Sequence, residues 1–337
     1  MTSPSSPPPR PRAASTGSPG ATLLADPATR AIVAHLGAAG AGSLDATQIA
    51  GAVQLSLTGR LVRDRLRILE RRGVVVATSR AASDGSAPTR WALTDAGRDL
   101  HRLLSLITRI TAHAARLPEA SGQAKATDAV VGCTLSALDD PIVRTVARQL
   151  GAASFLEPLE LEAACTGIPR RTLYRRLGPL VDAGAILRET TRQVPRSTRY
   201  ALVDRWRPVV AVLVLIAWWE SRHPGAASPP ADLDLAGAMT IVSPRVRPRR
   251  GGDAVVRWVV AEPGARFASF DTATADGAVV TRASDAATPT ATVRAPLAAW
   301  TAALVEGSFG PLEITGDAAQ AEAMLAAFRA ALLAYVR

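Results

Sequence analysis

The stretch Ser56-Leu-Thr-Gly-Arg-Leu-Val-Arg-Asp-Arg-Leu-Arg-Ile-Leu-Glu-Arg-Arg-Gly73 decides how the rest of the chain is read. At about 100° per residue, Val62, Leu66 and Leu69 share one helical face, while Arg60, Arg63, Arg67 and Arg71 line the other. The spacing predicts a helix with an apolar back and an arginine front. Gly73 suits the left-handed position that ends such a helix. Val74-Val-Val-Ala-Thr78 then has strand character, a polar loop spans 79–89, Arg90-Trp-Ala-Leu93 makes a second strand, and a new helix starts at Thr94.

A second copy lies downstream, at Ile168-Pro-Arg-Arg-Thr-Leu-Tyr-Arg-Arg-Leu-Gly-Pro-Leu-Val-Asp-Ala-Gly184. Arg60, Val62, Arg65, Leu66, Leu69 and Gly73 align with Arg171, Leu173, Arg176, Leu177, Leu180 and Gly184. Trp91-Ala-Leu93 aligns with Tyr200-Ala-Leu202, and Asp26-Pro27 with Asp140-Pro141. Three segments repeated in one order predict a duplicated module. Helix, helix, arginine helix, hairpin is the order of a winged helix-turn-helix, whose third helix enters the major groove while the wing reaches the flanking backbone.

The expected fold is therefore mainly α with small β wings (two winged helix-turn-helix modules) plus a C-terminal α+β domain. The expected boundaries are a disordered, Pro- and Ser-rich tail at 1–22, module one at 23–120, module two at 126–223 and the last domain at 232–337. In module one the first helix runs from Pro27 to Leu36 behind an Asp26 cap, and the second from Ser43 to Val53. In module two the helices are Pro141–Leu150, Pro158–Cys165 and Pro169–Ala183. Gly178-Pro179 predicts a kink or a later start in the third. Val209–Trp219 is apolar throughout but too short to span a bilayer. It packs against its own module or forms an interface between modules or chains.

The C-terminal domain has strands at Ala254–Ala261, Gly277–Arg282 and Thr290–Arg294. A helix follows at Pro296–Glu306, then a short strand or turn at Leu312–Gly316 and an amphipathic helix capped by Asp317.

Charge follows this division. The 337-residue chain carries a net +10, with Lys125 its only lysine. Residues 25–120 hold 13 basic against 8 acidic side chains, 121–230 hold 14 against 10, and 231–337 hold 10 against 11. A positive excess that sits on the modules and is absent from the last domain points to a phosphate-binding surface and double-stranded DNA as partner. Candidate DNA contacts are Arg60, Arg63, Arg67 and Arg71, with Arg80 and Arg90 flanking the first wing. In module two they are Arg170, Arg171, Tyr174 and Arg175, with Arg192, Arg196 and Arg199 around the second wing. Cys133 and Cys165 supply neither a disulfide framework nor zinc spacing, which suits a reducing cytoplasm, and the expected location is cytoplasmic, on the nucleoid. No cofactor, metal or membrane partner is expected.

Arg65-Leu-Arg-Ile-Leu-Glu-Arg-Arg-Gly-Val74 and Trp91-Ala-Leu-Thr-Asp-Ala-Gly97 resemble winged helix-turn-helix regulators of the HxlR/MarR type. Val194-Pro-Arg-Ser-Thr-Arg-Tyr-Ala-Leu202 is similar to the HxlR wing and its following strand. Module two departs from HxlR where Asp139-Asp-Pro141 replaces the usual Gly-Lys-Trp. Cys133 lies where some HxlR proteins keep a redox-active cysteine.

The last domain resembles a sterol-carrier-protein fold through Pro289-Thr-Ala-Thr-Val-Arg-Ala-Pro-Leu-Ala-Ala-Trp300, Gly307 and Leu312-Glu-Ile-Thr-Gly-Asp317. That resemblance implies an apolar ligand cavity, with Trp258, Trp300, Phe309 and Met324 as candidate lining residues.

Together these features imply a transcriptional regulator with two DNA-reading helices, an apolar small-molecule effector and room for a homodimer. One alternative keeps DNA binding in module one and makes module two an interaction or dimerisation domain. Another is an enzyme that dimerises through winged helices. Against an enzyme stand His35, His101, His113 and His223, which are scattered without metal or triad spacing.

Overall fold

The computed structural model describes residues 18–40, 42–52, 59–79, 88–115, 124–190, 197–225, 233–248, 253–261, 268–275, 277–284 and 288–334. These are mainly helical, with three small sheets. No helix among them is long and apolar enough to cross a membrane.

The N-terminal part opens with α1 (Pro19–Ala25), so the expected tail gives way to a helix before residue 22. Ser18 caps α1, and Ala21 and Leu24 are fully buried, which is why this stretch is ordered. Then come α2 (Pro27–Ala38), β1 (Leu44–Asp45), α3 (Ala46–Ala52), α4 (Gly59–Arg71), β2 (Val75–Ser79), β3 (Arg90–Leu93) and α5 (Asp95–Ala114). The second helix, expected from Ser43, begins only at Ala46. Leu44 and Asp45 pair instead with Trp91 and Arg90, and the Asp45 carboxylate accepts the N–H groups of Thr47 (2.8 Å) and Gln48 (2.9 Å), capping α3. The turn expected at 54–56 lies outside the described residues.

The central part comprises α6 (Ala124–Asp139), α7 (Pro141–Ala152), α8 (Pro158–Ala164), α9 (Arg170–Asp182), β4 (Ile186–Thr190) and β5 (Thr198–Leu202). A 3-10 segment over Asp204–Val210 then leads into α10 (Ala211–Arg222). The same order of helices and hairpin thus occurs twice, and details recur with it. Leu156 bridges Tyr200 as Leu44 pairs with Trp91. Gly73 (φ 66°) and Gly184 (φ 67°) both turn left-handed after the arginine helix. The N–H of Val74 reaches the Leu69 carbonyl at 2.9 Å, and that of Ala185 reaches Leu180 at 2.9 Å, the Schellman closure in each case.

Helix α9 starts at Arg170 and continues through Pro179, so no later start is needed. The helix ends at Asp182, and the exposed proline costs it one hydrogen bond. Because both glycines owe their place to positive φ, Gly73→Ala and Gly184→Ala are each expected to cost about 1–2 kcal/mol in urea unfolding. A Cβ at position 73 meets nothing within 4 Å, so its cost is conformational alone.

In the C-terminal part, α11 (Leu235–Val242) precedes β6 (Ala254–Val260), β7 (Ala268–Ala275), β8 (Ala278–Ala283) and β9 (Ala291–Ala295). After these come α12 (Leu297–Val305), β10 (Glu313–Gly316) and α13 (Ala318–Leu332). The sheet order is β10-β9-β6-β7-β8, antiparallel except where β6 meets β9. Neither α11 nor β7 was predicted from the sequence.

The hydrophobic cores do not divide three ways. Val146, Leu150, Leu161, Cys165, Leu173, Leu177, Ile186 and Tyr200 form a small core under α7, α8 and α9. A second core is continuous from α1 through α5 and α10 to the C-terminal sheet. Helix α10 joins these regions because it is apolar on every side and must be covered all round. The Trp219 indole donates to the Ala96 carbonyl (2.9 Å), and the Trp218 indole donates to Glu306 (2.9 Å). The buried carboxylate of Glu220 accepts the Ser18 hydroxyl (2.7 Å) and the Gly20 N–H (2.6 Å). Of the roles open to this helix, packing between parts of one chain is the one observed.

Candidate nucleic-acid interface

Helix α4 buries Val62, Leu66 and Leu69 and leaves Arg60, Arg63, Arg67 and Arg71 exposed. Arg67 pairs with Asp64 at 3.6 Å. Arg60, Arg63 and Arg71 have no ion-pair or hydrogen-bond partner among the described residues. Helix α9 buries Leu173 and Leu177 and exposes Arg170, Arg171 and Arg175, of which Arg171 and Arg175 are similarly unpartnered. Five exposed guanidinium groups thus have donors left over by the described residues, the chemistry that meets phosphate or base edges.

The other predicted contacts behave differently. The Tyr174 hydroxyl donates to Glu162 on α8 at 2.8 Å, while Arg170 pairs with the same carboxylate at 3.2 Å and lies 5.9 Å from the tyrosine ring centroid. Tyr174 therefore does not face outward as expected. Its pKa is pushed up to about 12, first by burial and then by the hydrogen bond and charge of Glu162, so the phenol remains a donor throughout the physiological range. The Arg90 guanidinium is bound to Ser43, through Nε to the hydroxyl at 3.0 Å and through Nη2 to the carbonyl. Arg199 lies over the Phe155 ring at 4.9 Å and within 3.8 Å of Glu189. These two equivalent arginines fix the hairpin to the strand or bridge beside it, a different task from the phosphate contact expected of them. Arg80, Arg192 and Arg196 lie outside the described residues.

Two arginines missed in the sequence hold each exposed front in position. Arg65 on α4 pairs with Asp26, the cap of α2, at 3.4 Å, and Arg176 on α9 pairs with Asp140, the cap of α7, at 2.8 Å. The four residues occupy aligned positions in the two copies. Their conjunction was the available signal, since a repeated Asp and a repeated Arg invite a repeated ion pair. Arg188 on β4 is also exposed and unpartnered among the described residues, and was passed over because a lone strand arginine carries no pattern.

The residues expected to line a ligand cavity are core instead. Trp258, Trp300 and Met324 are fully buried, and Phe309 is packed against the same core. The Trp258 and Trp300 rings meet edge-on at 5.5 Å, and Phe328 closes on Trp258 at 6.4 Å, leaving no room between them. Among the described residues no group of three or more His, Cys, Asp or Glu is placed to hold a metal ion.

Two helices joined by a short turn, the second exposing arginines and followed by a hairpin, make a helix-turn-helix of the DNA-binding kind. A family model described as HxlR-like helix-turn-helix matches residues 154–227, which contain α8, α9, β4, β5 and α10. Over that region the chain is similar to a family of DNA-binding transcription regulators. No curated protein matches the chain.

Proposed function

We propose that this protein is a sequence-specific transcriptional regulator that reads double-stranded DNA with two winged helix-turn-helix modules, presenting α4 and α9 to successive major grooves. What carries the proposal is the pair of arginine fronts, exposed, largely unpartnered and each braced by an arginine to the capping aspartate of its first helix. The family match on residues 154–227 supports the central copy as a DNA reader.

The two fronts differ in chemistry. Aligned with Arg63, Arg67 and Arg71 are Tyr174, Gly178 and Asp182, so the central copy lacks three of the cations present in the first. The preferred operator accordingly has two unlike halves. An apolar effector biases the arrangement of the modules, the protein acts in the cytoplasm on the nucleoid, and a homodimer doubles the number of reading helices.

The test is selection from a randomised duplex pool with the full chain and with Arg63→Ala and Arg175→Ala. A two-part motif is expected, with each substitution relaxing one half by about 1–3 kcal/mol of discrimination. A single half-site indifferent to Arg175→Ala would instead make the central copy an interaction domain. No enrichment at all would overturn the regulator.

A further inference from the structure

A cavity of about 520 Å³ opens between α6, α7, the C-terminal half of α9, the 3-10 segment with the start of α10, and α11. It falls within the roughly 300–1,000 Å³ typical of small-molecule sites. It lies outside the packed tryptophans of the C-terminal sheet and was not foreseen from the sequence. Its wall is overwhelmingly apolar, with Val143, Leu180, Val210 and Leu213 among the lining side chains. Such a space is dry or holds an apolar molecule.

Two polar groups in the wall are left over. The Trp206 indole N–H is buried with no hydrogen-bond partner among the described residues. Arg144 also lines the cavity and has no side-chain partner among the described residues, whereas its neighbour Arg148 is paired with Asp234 at 3.2 Å. A buried unsatisfied donor asks for an acceptor, and an unpaired guanidinium beside an apolar wall asks for an anion.

We infer that this cavity is a binding site for a small apolar acid, whose anionic group pairs with Arg144 and whose acceptor takes the Trp206 N–H. The site touches the reading machinery directly. Pro179 and Leu180 belong to the same helix as Arg171 and Arg175, and they form part of the cavity wall. A ligand there fixes α9 against α6 and α7, and so couples to DNA affinity, reciprocally and by the same factor. This coupling rests on the reading of α9 as a DNA-contacting helix; the binding itself does not.

The experiment uses the full chain and anilinonaphthalene sulfonate, an aromatic anion that fluoresces in apolar surroundings, with uncharged phenylnaphthylamine as its comparator. Saturable binding at one site per chain is expected. Arg144→Gln should weaken the sulfonate about tenfold while leaving the uncharged comparator unchanged. Ala147→Trp, which fills the cavity, should abolish both.

Cys133 lines the cavity and is exposed, whereas Cys165 is buried and its thiol pKa is raised by burial. The bound probe should therefore slow maleimide labelling of Cys133 about fivefold and leave Cys165 unreactive throughout. Unchanged labelling at saturation would overturn the site without recourse to any variant. So would equal binding by natively folded Ala147→Trp. If the probe binds as described and the duplex affinity does not move, the coupling fails and the site stands. If no duplex binds at all, the regulator proposal fails with the coupling, while probe binding still decides the site.

Discussion

Replacing Arg60, Arg63 and Arg71 together by alanine is expected to weaken duplex binding about a hundredfold or more at near-physiological salt, and to flatten the dependence of log K on log salt by about three. Each of these side chains is exposed and lacks a partner among the described residues, so none has an internal interaction to lose on substitution. Stability should stay within about 0.5 kcal/mol of the parent, as for other surface changes. The counterions released when three guanidinium groups meet phosphate are what the salt slope counts. Titrations of a selected duplex at several salt concentrations measure the slope and the affinity together. A triple variant with the parental slope would show that α4 does not face the backbone. Arg65→Ala provides the contrast. It removes a cation from the same helix but also the brace to Asp26, so it should lower stability as well as affinity.

Trp219→Ala is expected to cost about 3–5 kcal/mol, the largest stability loss proposed for this chain. The side chain is fully buried, donates to the Ala96 carbonyl at 2.9 Å and packs beside His223 at 5.9 Å between ring centroids. It belongs to the core that runs from α1 through α5 and α10 to the C-terminal sheet, so its loss opens a void in that core. Trp219→Phe keeps much of the volume and loses the indole hydrogen bond, for an expected cost of about 1–2 kcal/mol. Urea unfolding followed by far-ultraviolet circular dichroism measures both. A Trp219→Ala chain as stable as the parent would show that α10 is not what unites the two regions.

The elements legible in the sequence were those with a strong local pattern. The arginine front of α4 and its apolar back repeat every three or four residues, and Gly73 marks its end, so its bounds could be drawn closely. The copy at α9 was legible because Arg171, Leu173, Arg176 and Leu177 keep that spacing. By contrast β1 has two residues, too few for any alternation to register, and it exists only because Trp91 and Arg90 lie opposite. Strand β7, Ala-Ser-Phe-Asp-Thr-Ala-Thr-Ala, is poor in branched apolar residues. It is held by β6 on one side and β8 on the other, partners that its own sequence does not announce.

The orientation of Tyr174 depended on Glu162, on a different helix, and the immobilisation of Arg90 depended on Ser43. Whether Trp258 and Trp300 line a void or fill one depends on the distance between them, which composition cannot supply. The cavity by α9 escaped notice for the same reason, since its walls come from segments scattered between Ala115 and Ile241.

The grip of Glu220 on Ser18 and Gly20 has a consequence for biosynthesis. The partners are separated by 202 and 200 positions in the chain. At about 5–20 residues per second, a ribosome that has released α1 needs some ten to forty seconds to deliver its anchor. During that interval Ser18 and Gly20 lack their acceptor, and α5 lacks Trp219. The start of α1 is therefore anchored only after the middle of the chain emerges. Such long-range closure slows folding, and here it comes after the second arginine front has been synthesised.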